Sequence, residues 1–289
     1  MPNKFLEKTL TPDKNKLSKI VKFYVNGTSH SHGGGLETPE EREDSVRPIY
    51  HQLFPALVDT TTDRHHLNYA AHLSTILNIP FDNESECGGG MQRMVRMTYE
   101  WIYHHWQHRE NIFIILENPD YSRMEAYYKP RNSYYIINTN PILKRFEKAT
   151  RRYWDSNVRE ADEELHTYWN LYYNTHIDIV EEIKKNQSAL IGLYSFCKQQ
   201  GINCFIMNDF IMPPWQDVID PKDIITFQLP NGQRITGDIY EYCLEKKLTI
   251  SHELGGRAED EHPGFFGHQL YAKELAKWIE KRLNDCSKT

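Results

Sequence analysis
The sequence predicts an α/β domain in which a mostly parallel sheet is covered by helices on both faces. Three observations predict it. The run Asn111-Ile112-Phe113-Ile114-Ile115-Leu116 is short, continuous, β-branched and aromatic, as expected of a strand buried on both sides. Ile202-Asn203-Cys204-Phe205-Ile206-Met207 reads as a further strand of the same kind. Between and around these runs, apolar residues recur at helical spacing, and strands that alternate with helices imply parallel pairing with the helices packed on the faces.

The elements follow in order along the chain. Val21-Lys22-Phe23-Tyr24-Val25 is an apolar strand that breaks at Asn26-Gly27. Residues 53–77, and especially 68–77 with Tyr69, Ala70, Leu73, Ile76 and Leu77, keep a helical period that Asn78-Ile79-Pro80 ends. Gly88-Gly89-Gly90 forms a loop entering a helix over 91–107, with Met94, Val95, Met97, Trp101 and Ile102 toward one face. The strand at 111–116 then reaches a loop at Glu117-Asn118-Pro119. Residues 120–175 carry Tyr127, Tyr128, Tyr134, Tyr135, Trp154, Trp169, Tyr172 and Tyr173, and are too long for a simple strand-to-helix connection. They are expected to form an aromatic-rich helical insertion, a lid over the active face, whose aromatics either fill a satellite core or stack on a sugar or base. A helix over 176–200, with Gly201 as its cap, leads to the second strand. Residues 217–248 show only a turn at Leu229-Pro230-Asn231-Gly232-Gln233 between two short extended pieces, and a helix over 263–283 closes the chain.

At 289 residues and 39% hydrophobic content the chain can bury one sizeable core, so 1–289 is read as a single domain carrying the insertion. A net charge of -6 gives no global attraction to nucleic acid or anionic lipid, and no nucleic-acid partner is expected. Without a run of about 18 apolar residues or a signal-like start, the expected place is the cytoplasm, away from membranes. The oligomeric state is left open. Cys87, Cys197, Cys204, Cys243 and Cys286 are odd in number and lack zinc or C-x-x-C spacing, so they read as reduced thiols.

In a parallel α/β sheet, functional residues gather beyond the carboxyl ends of the strands. Ser29 follows the strand at 21–25, Gly89 and Gly90 follow the place where a second strand of the sheet is expected, and Asn118 follows the strand at 111–116. Near the other end, Asp260-Glu261-His262-Pro263 offers an acid and a histidine two residues apart. Together they predict a serine nucleophile: Ser29 attacks a carbonyl, His262 takes its proton, and Asp260 orients the imidazole, with Glu259 as the alternate acid. Backbone N–H groups at Ser29, Gly89 and Gly90 and the amide of Asn118 would receive the oxyanion. His30, His32, Arg93 and Arg123 are substrate-contact candidates, the arginines also serving to hold loops.

These blocks resemble those of the SGNH, or GDSL-like, hydrolases, which hold Ser, Gly, Asn and His in this order. Gly27-Thr28-Ser29 stands where that family has Gly-Asp-Ser or Gly-Cys-Ser; Gly88-Gly89-Gly90 with Arg93, then Asn118, then Asp260-Glu261-His262-Pro263 and Gly267-His268 follow. The stretch from Gly88 to Glu125 is similar to an uncharacterised, often phage-encoded branch. The chain departs from the pattern at Leu116 and Pro119, and its acid stands two rather than three residues before the histidine. The resemblance implies a flavodoxin-like, three-layer α/β/α fold, a Ser-His-Asp triad without cofactor or metal, and a small-molecule or glycan ester as substrate. Two alternatives remain beside it: an SGNH-fold binding or structural phage-type protein without turnover, and a metallohydrolase using histidines such as the His104/His108 pair.

Overall fold
The computed structural model describes residues 16–34, 36, 66–85, 89–119, 123–128, 133–138, 178–207, 217–229, 232–256 and 260–285. Residues 29, 32, 123–128, 133–138 and 179 are described by their backbone alone. In chain order the first elements are β1 (Lys22–Asn26), α1 (Ser29–His32), α2 (Tyr69–Leu77), β2 (Phe81–Asn83), α3 (Met91–His104), β3 (Ile112–Glu117), β4 (Arg123–Tyr128) and β5 (Ser133–Asn138). After them come α4 (Ile179–Gln199), β6 (Asn203–Met207), β7 (Thr226–Gln228), β8 (Arg234–Thr236), α5 (Ile239–Lys246), α6 (Ile250–Glu253) and α7 (Phe265–Asp285).

The central sheet is parallel throughout, in the order β2-β1-β3-β6. Ile224 adds a parallel bridge to Ile206 on the outer side of β6. This is the flavodoxin-like order, with a switch point between β1 and β3 where the chain winds first one way and then the other. The period-2 alternation of side chains sorts the core into two layers. Phe23, Val25, Phe113, Ile115, Phe205 and Met207 pack with Tyr69 and Leu73 of α2 and Tyr271, Leu275 and Ile279 of α7. Tyr24, Ile112, Ile114, Leu116, Cys204 and Ile206 face Met94, Trp101 and Ile102 of α3 and Leu190 and Leu193 of α4. All of β3 is buried, as its unbroken apolar run requires. Each fully buried Leu, Ile or Phe in these layers contributes about 1.5–3 kcal/mol of transfer free energy.

Local chemistry sets the helix ends. Asn68 caps α2 by accepting from Ala71 N, and Asn78 leaves it in the left-handed region at φ 53°. Asp178 caps α4, and Gly201 follows it at φ 73°. The expected helix over 91–107 ends at His104 and tightens into a 3-10 turn at Trp106–Asn111. His104 and His108 therefore do not share one α-helical face. The extended pieces flanking the turn near Gly232 pair as the antiparallel β7–β8 hairpin.

One expectation is corrected. The described part of 120–175 is not helical but an antiparallel hairpin of β4 and β5. Ser133-Tyr134-Tyr135-Ile136-Ile137-Asn138 is β-branched and aromatic, which favours the strand over the helix. The rest of that segment, with Trp154, Trp169, Tyr172 and Tyr173, lies outside the described residues, as do residues 53–65. Cys197, Cys204 and Cys243 are free and buried; Cys87 and Cys286 lie outside the described residues. No helix among the described residues is long and apolar enough to cross a membrane.

Candidate active site
The loops that follow β1, β2 and β3 meet at the switch point. Asn26-Gly27-Thr28 leads from β1 into α1, so the Ser29 backbone opens that short helix directly above the sheet. The Ser29 and His32 side chains lie outside the described residues. So do Gly88, Glu259 and the side chain of Arg123.

The residue that organises this turn is Glu117, the last of β3 and 2% exposed. Its Oε2 accepts hydrogen bonds from Thr28 N at 3.0 Å and Ser31 N at 3.1 Å. Its Oε1 accepts from the Thr28 hydroxyl and stands 3.3 Å from His30 Nδ1. Gly27 makes the approach feasible, since a Cβ there would fall 2.5 Å from the Glu117 Cβ. Burial pushes the Glu117 carboxyl up, but the hydrogen bond and charge of His30, with Ser31 and Thr28, outweigh it and bring the carboxyl down from 4.5 to about 2.

From the other flank, Asn83 Nδ2 at the end of β2 donates to Ser31 O at 2.9 Å. The buried Ser31 hydroxyl meets Tyr69 Oη at 2.9 Å, and Tyr69 N donates to His268 Nδ1 at 3.0 Å. His268 is fully buried, and that burial holds its imidazole well below the usual histidine range. It is thus a neutral structural acceptor joining α2 to α7.

The acid–histidine loop is a self-contained unit. His262 Nδ1 lies 2.8 Å from Asp260 Oδ1, and His262 N donates to the same oxygen at 2.9 Å. The two-residue spacing suits both bonds, so one Asp260 oxygen holds the backbone and the ring of His262 together. The loop is sewn to α6, with Ile250 N donating to His262 O and Ser251 N to Asp260 O, each at 2.8 Å. The bond at Nδ1 leaves Nε2 available as a base. The His262 side chain is 35% exposed, enough to meet a ligand.

The two units touch. His30, the residue after Ser29, sets its ring edge-on to His262 with centroids 5.6 Å apart and stacks on Tyr240 at 5.1 Å. Tyr240 in turn donates from its hydroxyl to Glu261 at 2.7 Å. Gly89 and Gly90 are buried, and Gly90, having no side chain, stands at the N-terminus of α3 without a side-chain cap. Asn118 donates its N–H to Met207 O at 3.2 Å and is half-buried. Arg93 donates to Glu84 O at 2.7 Å and so holds the loop after β2.

Among the described residues one trio brings metal-type ligand atoms within 4.8 Å of one another: His30, Glu117 and Asp238. The Glu117 oxygens accept from Thr28 and Ser31, and Asp238 Oδ1 accepts from Tyr240 N and Glu241 N as the cap of α5. Burial, then the neighbouring charge of Glu117, raises Asp238 from 3.8 to about 6.

Glu117, Asn83, Ser31, Tyr69, Asp238 and Tyr240 were not singled out in the sequence. Glu117 did carry a signal, a carboxylate ending an otherwise wholly apolar strand.

No family model and no curated protein matches the chain. Two solved structures are similar in outline. A psychrotrophic esterase, EstA, from Pseudoalteromonas sp. is 13% identical, with 91% of this chain and 98% of that one covered and a TM-score of 0.39. An acetyl xylan esterase, Est2A, from the rumen bacterium Butyrivibrio proteoclasticus is 15% identical over 91% of this chain and 64% of that one, with a TM-score of 0.41. Likeness at such scores says nothing about activity.

Proposed function
We propose that the protein is a serine esterase of the SGNH type, hydrolysing a carboxylic or O-acetyl ester through an acyl-enzyme on Ser29. The observation that carries this is the Asp260–His262 dyad, bonded at 2.8 Å and in ring contact with the residue next to Ser29. Asp260 accepts from Nδ1–H and fixes the tautomer; His262 Nε2 takes the Ser29 hydroxyl proton as Oγ attacks the ester carbonyl. Collapse of the tetrahedral intermediate breaks the bond to the leaving alcohol, which receives that proton from His262. Water, deprotonated by the same nitrogen, then releases the acid and restores Ser29. Oxyanion donors are drawn from the backbone N–H of Ser29, from the α3 terminus at Gly89 and Gly90 and from the amide of Asn118, whereas the N–H groups of Thr28 and Ser31 are committed to Glu117.

A small ester or an O-acylated glycan is the substrate class this reading favours, with His30 and Tyr240 beside the histidine as contact surface. The test is turnover of p-nitrophenyl acetate by wild type, Ser29→Ala and His262→Ala, with and without chelator. Hydrolysis by wild type alone, indifferent to chelator, is expected. Activity that survives Ser29→Ala and dies with chelator would favour metal chemistry, and absence of turnover in wild type would favour a binding protein.

A further inference from the structure
We infer that Glu117 is a positioning residue that locks the nucleophile-bearing turn, a role separate from that of the triad acid Asp260. This rests on the esterase reading above. The carboxylate engages four groups of one short turn: Thr28 N, Thr28 Oγ1, His30 Nδ1 and Ser31 N. Ser29 lies between the two anchored amides, so its backbone is held on both sides by a single side chain. Asn83 of β2 grips the same turn through Ser31 O, and Tyr69 holds the Ser31 hydroxyl. The turn is thus fixed by the two strands that flank β1 in the sheet.

The two backbone amides need an acceptor, which Oε2 supplies. Three of the four partners bring a donor hydrogen from Thr28 or Ser31, and the fourth is an imidazole nitrogen facing the carboxylate. A glutamine keeps an acceptor for the two amides only with its NH2 group turned to the Thr28 hydroxyl and His30, and in either orientation it removes the negative charge that faces His30. The site also excludes a Cβ at position 27, where it would stand 2.5 Å from Glu117 Cβ and 2.6 Å from Oε2. Gly27 and Glu117 therefore form one device, the glycine admitting the carboxylate.

The consequence is kinetic. A nucleophile displaced by about 1 Å reacts about 100-fold more slowly. The experiment compares wild type, Glu117→Gln and Gly27→Ala in p-nitrophenyl acetate turnover, in rate of labelling by a fluorophosphonate, and in amide hydrogen exchange over residues 27–32. Gly27→Ala is the second variant because it displaces the carboxylate without changing its charge. The expected result is a fall of about 100-fold in kcat and in labelling rate per folded molecule, KM changed less than threefold, and faster exchange at residues 28 and 31 with β1 still protected. Equal kcat and labelling in the variants, with wild type labelled at Ser29, would overturn the positioning role and leave the esterase reading standing. A wild type that shows the protected amides but never labels at Ser29 would overturn the esterase reading and with it the catalytic meaning of the lock. Unprotected amides at 28 and 31 in wild type would overturn the lock itself.

Discussion

At the scale of single residues, two buried carboxylates sit close together and respond to it in opposite ways. Glu117 stays ionised because α1 and His30 supply donors and charge, whereas Asp238 gives way and holds its proton to about pH 6. The sign for Asp238 follows directly. Its carboxyl binds a proton more tightly folded than unfolded, so folding stability falls as pH rises from about 4 to about 6 and stays lowered above that. Asn caps a helix about as well as Asp. Asp238→Asn is therefore expected to unfold at a higher temperature than wild type at pH 8, with the difference shrinking to nothing near pH 4. Thermal melts across that range measure it; a constant difference would contradict the assignment. Glu117 runs the other way: its contribution is complete above about pH 4.5 and is lost as pH falls through about 2. Tyr69→Phe removes one partner of the buried Ser31 hydroxyl and is expected to cost about 1–3 kcal/mol in denaturant unfolding.

At the scale of elements, two glycines in helices make opposite predictions. Gly192 lies exposed within α4 with open space where a Cβ would go, so Gly192→Ala should stabilise by about 0.5–1 kcal/mol. Gly267 sits in the first turn of α7, where a Cβ would fall 2.6 Å from Leu248 O. Gly267→Ala should destabilise by about 1–3 kcal/mol although alanine favours helices. Denaturant midpoints of the two variants check both signs. The elements themselves were legible where one physical signal dominated. β3 announced itself by an apolar run, α2 and α7 by helical period, and the β7–β8 hairpin by its turn residues. The β4–β5 hairpin is hard to tell from an aromatic helix face by composition alone; the decisive signals are Pro130, which breaks a helix between Arg123 and Asn138, and the aromatic and β-branched run Tyr134-Tyr135-Ile136-Ile137. Helix α5 went unassigned because its eight residues carry a weak period and depend on the Asp238 cap.

At the scale of the whole molecule, the strand order brings residues 26–31, 83, 117 and 260–262 to one end of the sheet from four regions of sequence. Sequence spacing pointed to the acid–histidine pair and to the serine turn, because each is local. The lock at Glu117 was hidden, since it joins positions 86 to 89 residues apart and needs the β1–β3 register to exist. The same register explains why Gly27 is a glycine. Ring contact between His30 and His262 then links the chain's two ends without requiring a metal or cofactor in the proposed chemistry.

The central claim is that Ser29 is a nucleophile activated by His262. Peptide mapping by mass spectrometry after incubation with a fluorophosphonate tests it most directly. The account predicts one adduct, on Ser29, formed by wild type and slowed at least about 100-fold in His262→Ala. An adduct on another residue, or labelling of Ser29 at an undiminished rate in His262→Ala, would contradict it.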